Sequence, residues 1–266
     1  MDKYEKRRAC ILVKAYPQPS QQYEETVCVA AVTEDHQLLR LYPIRFRHLA
    51  EKQRFSRFDW IEAEMTRATD DSRPESFRIK EDTLQILMPG KKVALEDRVR
   101  LWKPCIAPSL TALLSEQETA QRSLGIIRPD VGSVRFKFEQ LDHANEEDQD
   151  TARSVYKQQS LIEASLDPLP KPEYVFRYQF TSAGTQHVMK LHDWEVEATY
   201  HKYKRRYGSP ERALKKMLEF YEQLAVAKNL HLIMGNMHKR PYQFIVIGVL
   251  RTTADVDHAD AQQQLL

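Results

Sequence analysis

Glycine is scarce in this chain of 266 residues: seven in all, at 90, 125, 132, 184, 208, 235 and 248. They do not stand at the spacing of a Walker loop or of a GxGxxG turn, and no GxSxG is present. P-loop ATPases, dinucleotide-binding oxidoreductases and elbow-type hydrolases are thereby set aside. Cysteine is scarcer still. Cys10, Cys28 and Cys105 lie far apart with no CxxC pair, which excludes a disulfide framework and a cysteine zinc site and predicts buried free thiols. No apolar run approaches the roughly 18 residues of a membrane span, and the opening MDKYEKRRAC is charged with no secretory run behind it. The expectation is a cytoplasmic protein with no membrane partner. Nor is there a surplus of one charge: 40 Lys and Arg face 38 Asp and Glu, a net of +2. A polyanion site must therefore be a local patch, not a whole surface.

What is present is ordinary for a folded protein, 42% hydrophobic and 29% charged. The first 140 residues are rich in strand patterns. ACILVKAY, ETVCVAAVT and LLRLYPI are short apolar runs separated by turn residues. In FDWIEAEMT, Phe58, Trp60 and Glu62 alternate with Asp59, Ile61 and Ala63. LEDRVRLWKP (95–104) reads as a further strand closed by Pro104, and a short helix is expected from about 109 to 121. LGIIRP and SVRFKFEQL follow as a strand pair. Residues 142–150, DHANEEDQD, hold five carboxylates and no Lys or Arg, the composition of a linker. Beyond it EYVFRYQFT alternates, a helix is expected from about 192 to 207, and Ser209-Pro210 starts another running to about 227. LHLIMG and YQFIVIGVL read as strands covered on both faces.

This order predicts a mixed, β-rich α+β protein of two OB-like small β-barrels with helical insertions and C-terminal helices. The units are residues 1–141, an acidic linker at 142–152, a second unit at 153–254 with two helices, and a flexible tail at 255–266. The phrases ILVKAYPQPSQQYEETVCVAAV, LRLYPIRFRHL, FDWIEAEM, SRPESFRI, LHDWEVEATY and GNMHKRPYQFIVIGVLR resemble a prokaryotic group described as having a dual OB-fold-containing domain. The resemblance runs from about 10 to 251 and rests on structural phrases, not catalytic signatures. It implies two OB-type barrels and, by analogy of fold, nucleic-acid binding by an accessory component of mobile-element or phage-defence loci.

Four constellations carry chemistry. Residues 40–57 hold Arg40, Arg45, Arg47, Lys52, Arg54 and Arg57 against one acid, Glu51, with Tyr42, Phe46, Phe55 and Phe58 interleaved. In LRLYPIRFR the apolar phase slips at Pro43. Proline cannot donate to a central ladder, so Arg45 and Arg47 are expected to leave the wall at a barrel edge. Basic grooves lined with rings hold single strands, and Lys14 and Tyr16 extend this surface. The alternative is that the rings are core and the arginines a solvated face. Asp193, Glu197 and His201 share one helix face at i, i+4 and i+8, a weak arrangement for a metal that would activate water. KYKRR (202–206) offers Lys204 and Arg205 to phosphates, although a helix C-terminus favours cations without any ligand. GNMHKRPYQF places His238, Lys239 and Arg240 on a loop tip that is either a tight turn or a phosphate contact.

The leading reading is a non-enzymatic protein that holds single-stranded or distorted nucleic acid, with DNA the expected polymer. The contacts are Lys14, Tyr16, Arg40, Tyr42, Arg45, Phe46, Arg47, Lys204, Arg205, His238, Lys239 and Arg240, and no cofactor or metal is required. A metal-dependent nuclease built on Asp193, Glu197 and His201 stays open. So does a scaffold that uses the 242–250 strand and the acidic loop for protein partners from the same locus.

Overall fold

The computed structural model describes residues 3–20, 23–141, 172–227, 229–238 and 240–252. The acidic linker, the tail and Lys239 lie outside the described residues. In the first barrel, β1 (Glu5–Lys14) pairs antiparallel with β3 (Glu24–Val32), and β3 with β4 (Leu38–Ile44). β6 (Ser76–Ile79) runs parallel to β4, β5 (Trp60–Arg67) antiparallel to β6, and β5 returns to β1 to close the ring. Counted along the chain the wall strands are ordered 1-2-3-5-4-1 with the third and fifth parallel, the Greek-key order of an OB barrel. β2 (Gln18–Ser20) adds to β3, and β7 (Gln85–Met88) adds to β5 outside the ring.

The second barrel repeats that order with its first strand split. β9 (Leu124–Ile127) pairs with β13 (Asn229–Met237), while β10 (Arg135–Gln140), β11 (Tyr174–Ser182) and β12 (Thr185–Lys190) form an antiparallel sheet. β13 pairs with β14 (Arg240–Thr252), and a parallel bridge from Leu191 to Val246 joins the two sheets. β8 (Ile106–Ala107) flanks β9. Residues 106–140, within the span 1–141 grouped above with the first unit, thus form ladders with β11 and β13. Two helices, α3 (Trp194–Tyr207) and α4 (Pro210–Ala227), lie between the third and fourth wall strands rather than at the chain's end. Asp193 caps α3 by accepting from the Glu195 amide, and Gly208, at φ 73°, ends it in the left-handed conformation. Among the described residues no helix is long and apolar enough to cross a membrane.

Two expectations fail locally. Residues 95–102 form helix α1 (Leu95–Trp102), not a strand. Leu95, Val99 and Trp102 stand at i, i+4 and i+7, and Val99 and Trp102 are buried, so one helical face meets the core. Glu96 and Asp97 in its first turn favour the helix further. SRPESFRI, whose polar composition and Pro74 read as a loop, contains β6, because Phe77 and Ile79 complete the first barrel's core. The helix from 110 follows the expectation, as α2 (Leu110–Ala120).

Each barrel has its own core, and a third lies between them. Val27, Val29, Leu39, Leu41, Ile61 and Met65 fill the first, while Phe136, Phe176, Tyr178, Phe180 and Tyr200 fill the second. The seam between them takes the other faces of the same strands: Cys10, Leu12 and Val13 from β1, and Ala30 and Val32 from β3. These pack with Trp102 of α1 against Leu124, Ile126, Ile233, Ile247 and Leu250. Burying each large aliphatic contributes about 1.5–3 kcal/mol. Alternation sends Ala9 and Ile11 to one core and Cys10 and Leu12 to the other, and a bulge between Ile11 and Val13 keeps Val13 with Leu12 in the seam. Cys10 and Cys105 are buried free thiols, which burial pushes up to about 12 and about 11.

Gly248 sets how closely β14 approaches β1. A Cβ there would stand 2.6 Å from Val13 Cγ2. Gly248→Ala should lower stability by about 1–3 kcal/mol in urea unfolding; an unchanged midpoint would show that the seam yields.

Candidate nucleic-acid interface

The slip in LRLYPIRFR is a bulge. Val29 pairs with Leu41 and Val27 with Ile44, so three residues of β4 are matched by two steps on β3. Tyr42 is thrown outward, 45% exposed, with the Thr26 hydroxyl donating to its Oη at 3.4 Å. The arginines around the bulge are held by the protein itself. Arg40 is buried in the seam, donating to the Ser123 carbonyl at 2.9 Å and its hydroxyl at 3.2 Å, while Glu75 accepts from the Ser123 amide and hydroxyl. Arg45 binds Glu81 through its amide and its Nε, at 2.5 and 3.2 Å. Arg47 meets the buried Glu25 carboxylate at 2.9 Å.

Lys14 is half-buried against the buried Phe46. The Lys14 ammonium lies 4.0 Å from the Phe46 ring centre and donates to the Phe55 carbonyl at 3.0 Å. Burial lowers the Lys14 pKa. The Tyr16 amide donates to the His192 carbonyl, and burial pushes the Tyr16 hydroxyl up to about 12. Lys204 pairs with Glu173 at 2.5 Å, whereas Arg205 is exposed at the end of α3. His238 and Arg240 are exposed too. His238 lies 3.6 Å from Asp71, and Arg73 beside it donates to the Asn236 carbonyl at 3.0 Å. The fourth-to-fifth-strand loops of the two barrels therefore touch each other.

The carboxylates of α3 do not converge. Asp193 serves as the N-cap, and burial pushes it up to about 7. Burial also pushes Glu197 up to about 7 against the opposing Lys190 charge, and Glu197 Oε2 and His201 Nε2 are buried without hydrogen-bond partners. Among the described residues no group of three or more His, Cys, Asp or Glu could hold a metal ion. The 242–250 strand of the scaffold reading falls within β14, with Phe244, Val246 and Ile247 buried.

A basic surface lies where no motif pointed. Lys137 on β10 is opposite Arg177 on β11, and Arg177 is opposite Lys190 on β12, so three cations stand in cross-strand register. Arg135 is on the same face, and Glu139 pairs with Arg177 at 3.5 Å. Like charges placed directly opposite one another destabilise a sheet, and the Arg177 charge adds to partial burial in lowering the Lys190 pKa. The inward set, Phe136, Tyr178 and Met189, does the packing. On an OB barrel the outer face of the second and third strands, with the adjoining loops, receives oligomeric ligands. In the first barrel that face carries Ala30, Val32 and Arg40 and is covered by the seam. In the second, among the described residues, it is open: Lys137, Gln186, Val188 and Lys190 are exposed.

Residues 107–265 match the family described as domain of unknown function DUF8757, and residues 5–104 match domain of unknown function DUF8758. No curated protein sequence matches the chain. Among solved structures it is similar to the p204 HINb domain, at 6% identity over 94% of this chain and 98% of that one, with a TM-score of 0.35. It is also similar to the tetrameric p202 HIN2, at 6% identity over 95% and 97%, with a TM-score of 0.30. Replication protein A bound to ssDNA matches at 8% identity over 99% of this chain and 69% of that one, with a TM-score of 0.27. These likenesses are weak, and the barrel assignment rests on the strand ladders. The DUF8757 match covers more than half of the chain, so the chain belongs to that family.

Arg40→Ala removes a buried guanidinium and both of its hydrogen bonds to Ser123, and urea unfolding should show a loss of about 1–3 kcal/mol. Glu197 gives a pH signature. Its folded pKa, about 7, exceeds the ordinary 4.5, so the folded state holds more protons between those values and its stability falls as pH rises through them. Glu197→Gln should therefore stabilise the protein relative to the parent above pH 7, with the advantage fading below 4.5. A difference independent of pH in paired urea titrations would contradict this.

Proposed function

We propose that this member of the DUF8757 family binds single-stranded or distorted nucleic acid along the outward face of β10, β11 and β12. The observation that carries the reading is the row Lys137, Arg177, Lys190, aligned across three strands on the open ligand face of an OB-like barrel. The row opposes sheet stability, and a polyanion laid across it relieves the repulsion while releasing counterions. Arg135 extends the row, and Gln179 and Gln186 supply neutral donors beside it. Among the described residues the outward positions of these strands carry no aromatic ring, which favours contacts to phosphates over stacking on bases. Binding is then insensitive to sequence.

Of the residues singled out by sequence, Tyr42, Arg205, His238 and Arg240 keep exposed side chains and are proposed as outlying contacts. Arg40 and Phe46 are buried, Lys14 is half-buried and hydrogen-bonded to the Phe55 carbonyl, and Arg45, Arg47 and Lys204 are ion-paired. Their proposed part is to hold the barrels in place behind the face. The resemblance noted above extends the reading to an accessory role in a prokaryotic defence or mobile-element system, for which gene neighbourhood is the first check.

Fluorescence anisotropy with a labelled oligothymidylate at two salt concentrations tests the proposal. The triple variant Lys137→Glu, Arg177→Glu, Lys190→Glu should bind far more weakly at low salt. Its dependence of log K on log salt should be shallower by about 2, since each phosphate contact on a single strand contributes about 0.7. Wild-type binding indifferent to salt, or a triple variant that binds as well as wild type, would sink the reading.

A further inference from the structure

A cavity of about 290 Å³ opens between the first barrel and α3, lined by Lys14, Phe46, Ser56 and Arg57 on one side and by Trp194 and Glu195 on the other. Its floor is aromatic. Phe46 stands edge-on to Trp194 with ring centres 5.5 Å apart, and the Lys14 ammonium lies 5.4 Å from the Trp194 ring centre. Ser56 and Glu195 at the rim are exposed, so the cavity is reached from solvent.

Two cations and one carboxylate line it. Glu195 is paired with Arg57 at 3.1 Å. A second Arg57 nitrogen donates to the Val249 carbonyl, and Arg57 Nε is buried with no partner. Among the described residues Lys14 has no carboxylate within ion-pair distance, and its hydrogen bond goes to the Phe55 carbonyl, which leaves further ammonium protons to offer. Burial lowers the Lys14 pKa, and Glu195 and Asp59 oppose that shift from a distance. A half-buried ammonium with no carboxylate partner and a guanidinium with one nitrogen unpartnered line the same cavity beside two aromatic rings, and together call for an anionic partner.

We propose that this cavity binds a small planar organic anion, an aromatic or heteroaromatic ring bearing a carboxylate or a phosphate. The anionic group sits between Lys14 and Arg57, and the ring lies against Trp194 and Phe46. The volume is near the lower end of small-ligand pockets, about 300–1,000 Å³, which suits one ring system and its charged substituent and excludes a polymer. The site is independent of the basic face on β10, β11 and β12.

The test titrates the full chain with adenosine 5′-monophosphate, benzoate and inorganic phosphate, reading Trp194 fluorescence. Saturable quenching by the monophosphate or by benzoate, absent with inorganic phosphate, supports the proposal and shows which anionic group is preferred. Lys14→Met should weaken the effective probe about tenfold or more, and Trp194→Phe should remove the quench. The triple variant of the basic face should bind the probe unchanged, which separates this site from the proposed nucleic-acid face. Should Lys14→Met fail to fold, acetylation of wild-type Lys14 read by mass spectrometry takes its place. The bound probe should slow modification of Lys14 and leave the exposed Lys91 and Lys92 unaffected. No saturable quenching at millimolar probe, inorganic phosphate binding as tightly as the ring compounds, or acetylation of Lys14 indifferent to the probe would each overturn it.

Discussion

Strand β1 is buried on both faces, and the rest of the architecture follows from that constraint. Ala9 and Ile11 belong to the interior of the first barrel, while Cys10, Leu12 and Val13 belong to the seam with the second. A strand in that position needs an unbroken apolar run, which ACILV supplies. It also needs a partner surface that comes close, which Gly248 on β14 permits. Arg40, Ser123 and Glu75 seal the polar side of the same seam. The loop contact of Asp71 and Arg73 with Asn236 and His238 seals its far end. Two barrels joined by a shared apolar layer and two polar clasps form one body.

That joint assigns different work to two surfaces of the same type. The outer face of β3 and β4 is committed to the seam, and the equivalent face of β11 and β12 is left open with its cations aligned. The cleft beside α3 is a by-product of the same docking. It exists because the segment 46–57 of one barrel meets the first turns of the other's helix, with Arg57 spanning to Glu195 and to the Val249 carbonyl.

The fold was legible in the sequence to a useful depth. Alternation in FDWIEAEMT set Ile61 and Ala63 on one face, which is the buried one, and Ser209-Pro210 marked the start of α4. The phase slip at Pro43 was a true irregularity of β4. LEDRVRLW was misread because eight residues fit either period, and only the burial of Val99 and Trp102 on one side decides between them. The site was less legible, for a physical reason. Local charge density identifies arginines, but not whether a distant acid neutralises them. Arg45 meets Glu81, Arg47 meets Glu25 and Arg40 meets Ser123, partners that lie between 22 and 83 residues away. The row of Lys137, Arg177 and Lys190 has the converse character. Each strand contributes one unremarkable cation, and only the register of the sheet makes them a group. The signal available was the polar complement of RFKF and FRYQ, the residues left over once the aromatic face is assigned to the core.

Covering one of two equivalent barrel faces has a consequence for length. A tandem of open OB barrels can pass a strand from one groove to the next and enlarge its occluded site with each module. Here the first groove is closed by the second barrel's own wall, with Ala30 and Val32 facing Leu124 and Ile126. A strand laid on β10 to β12 meets a single module, whose occluded length is about 4–16 nucleotides. On the proposed reading, a longer footprint requires contacts outside these two barrels.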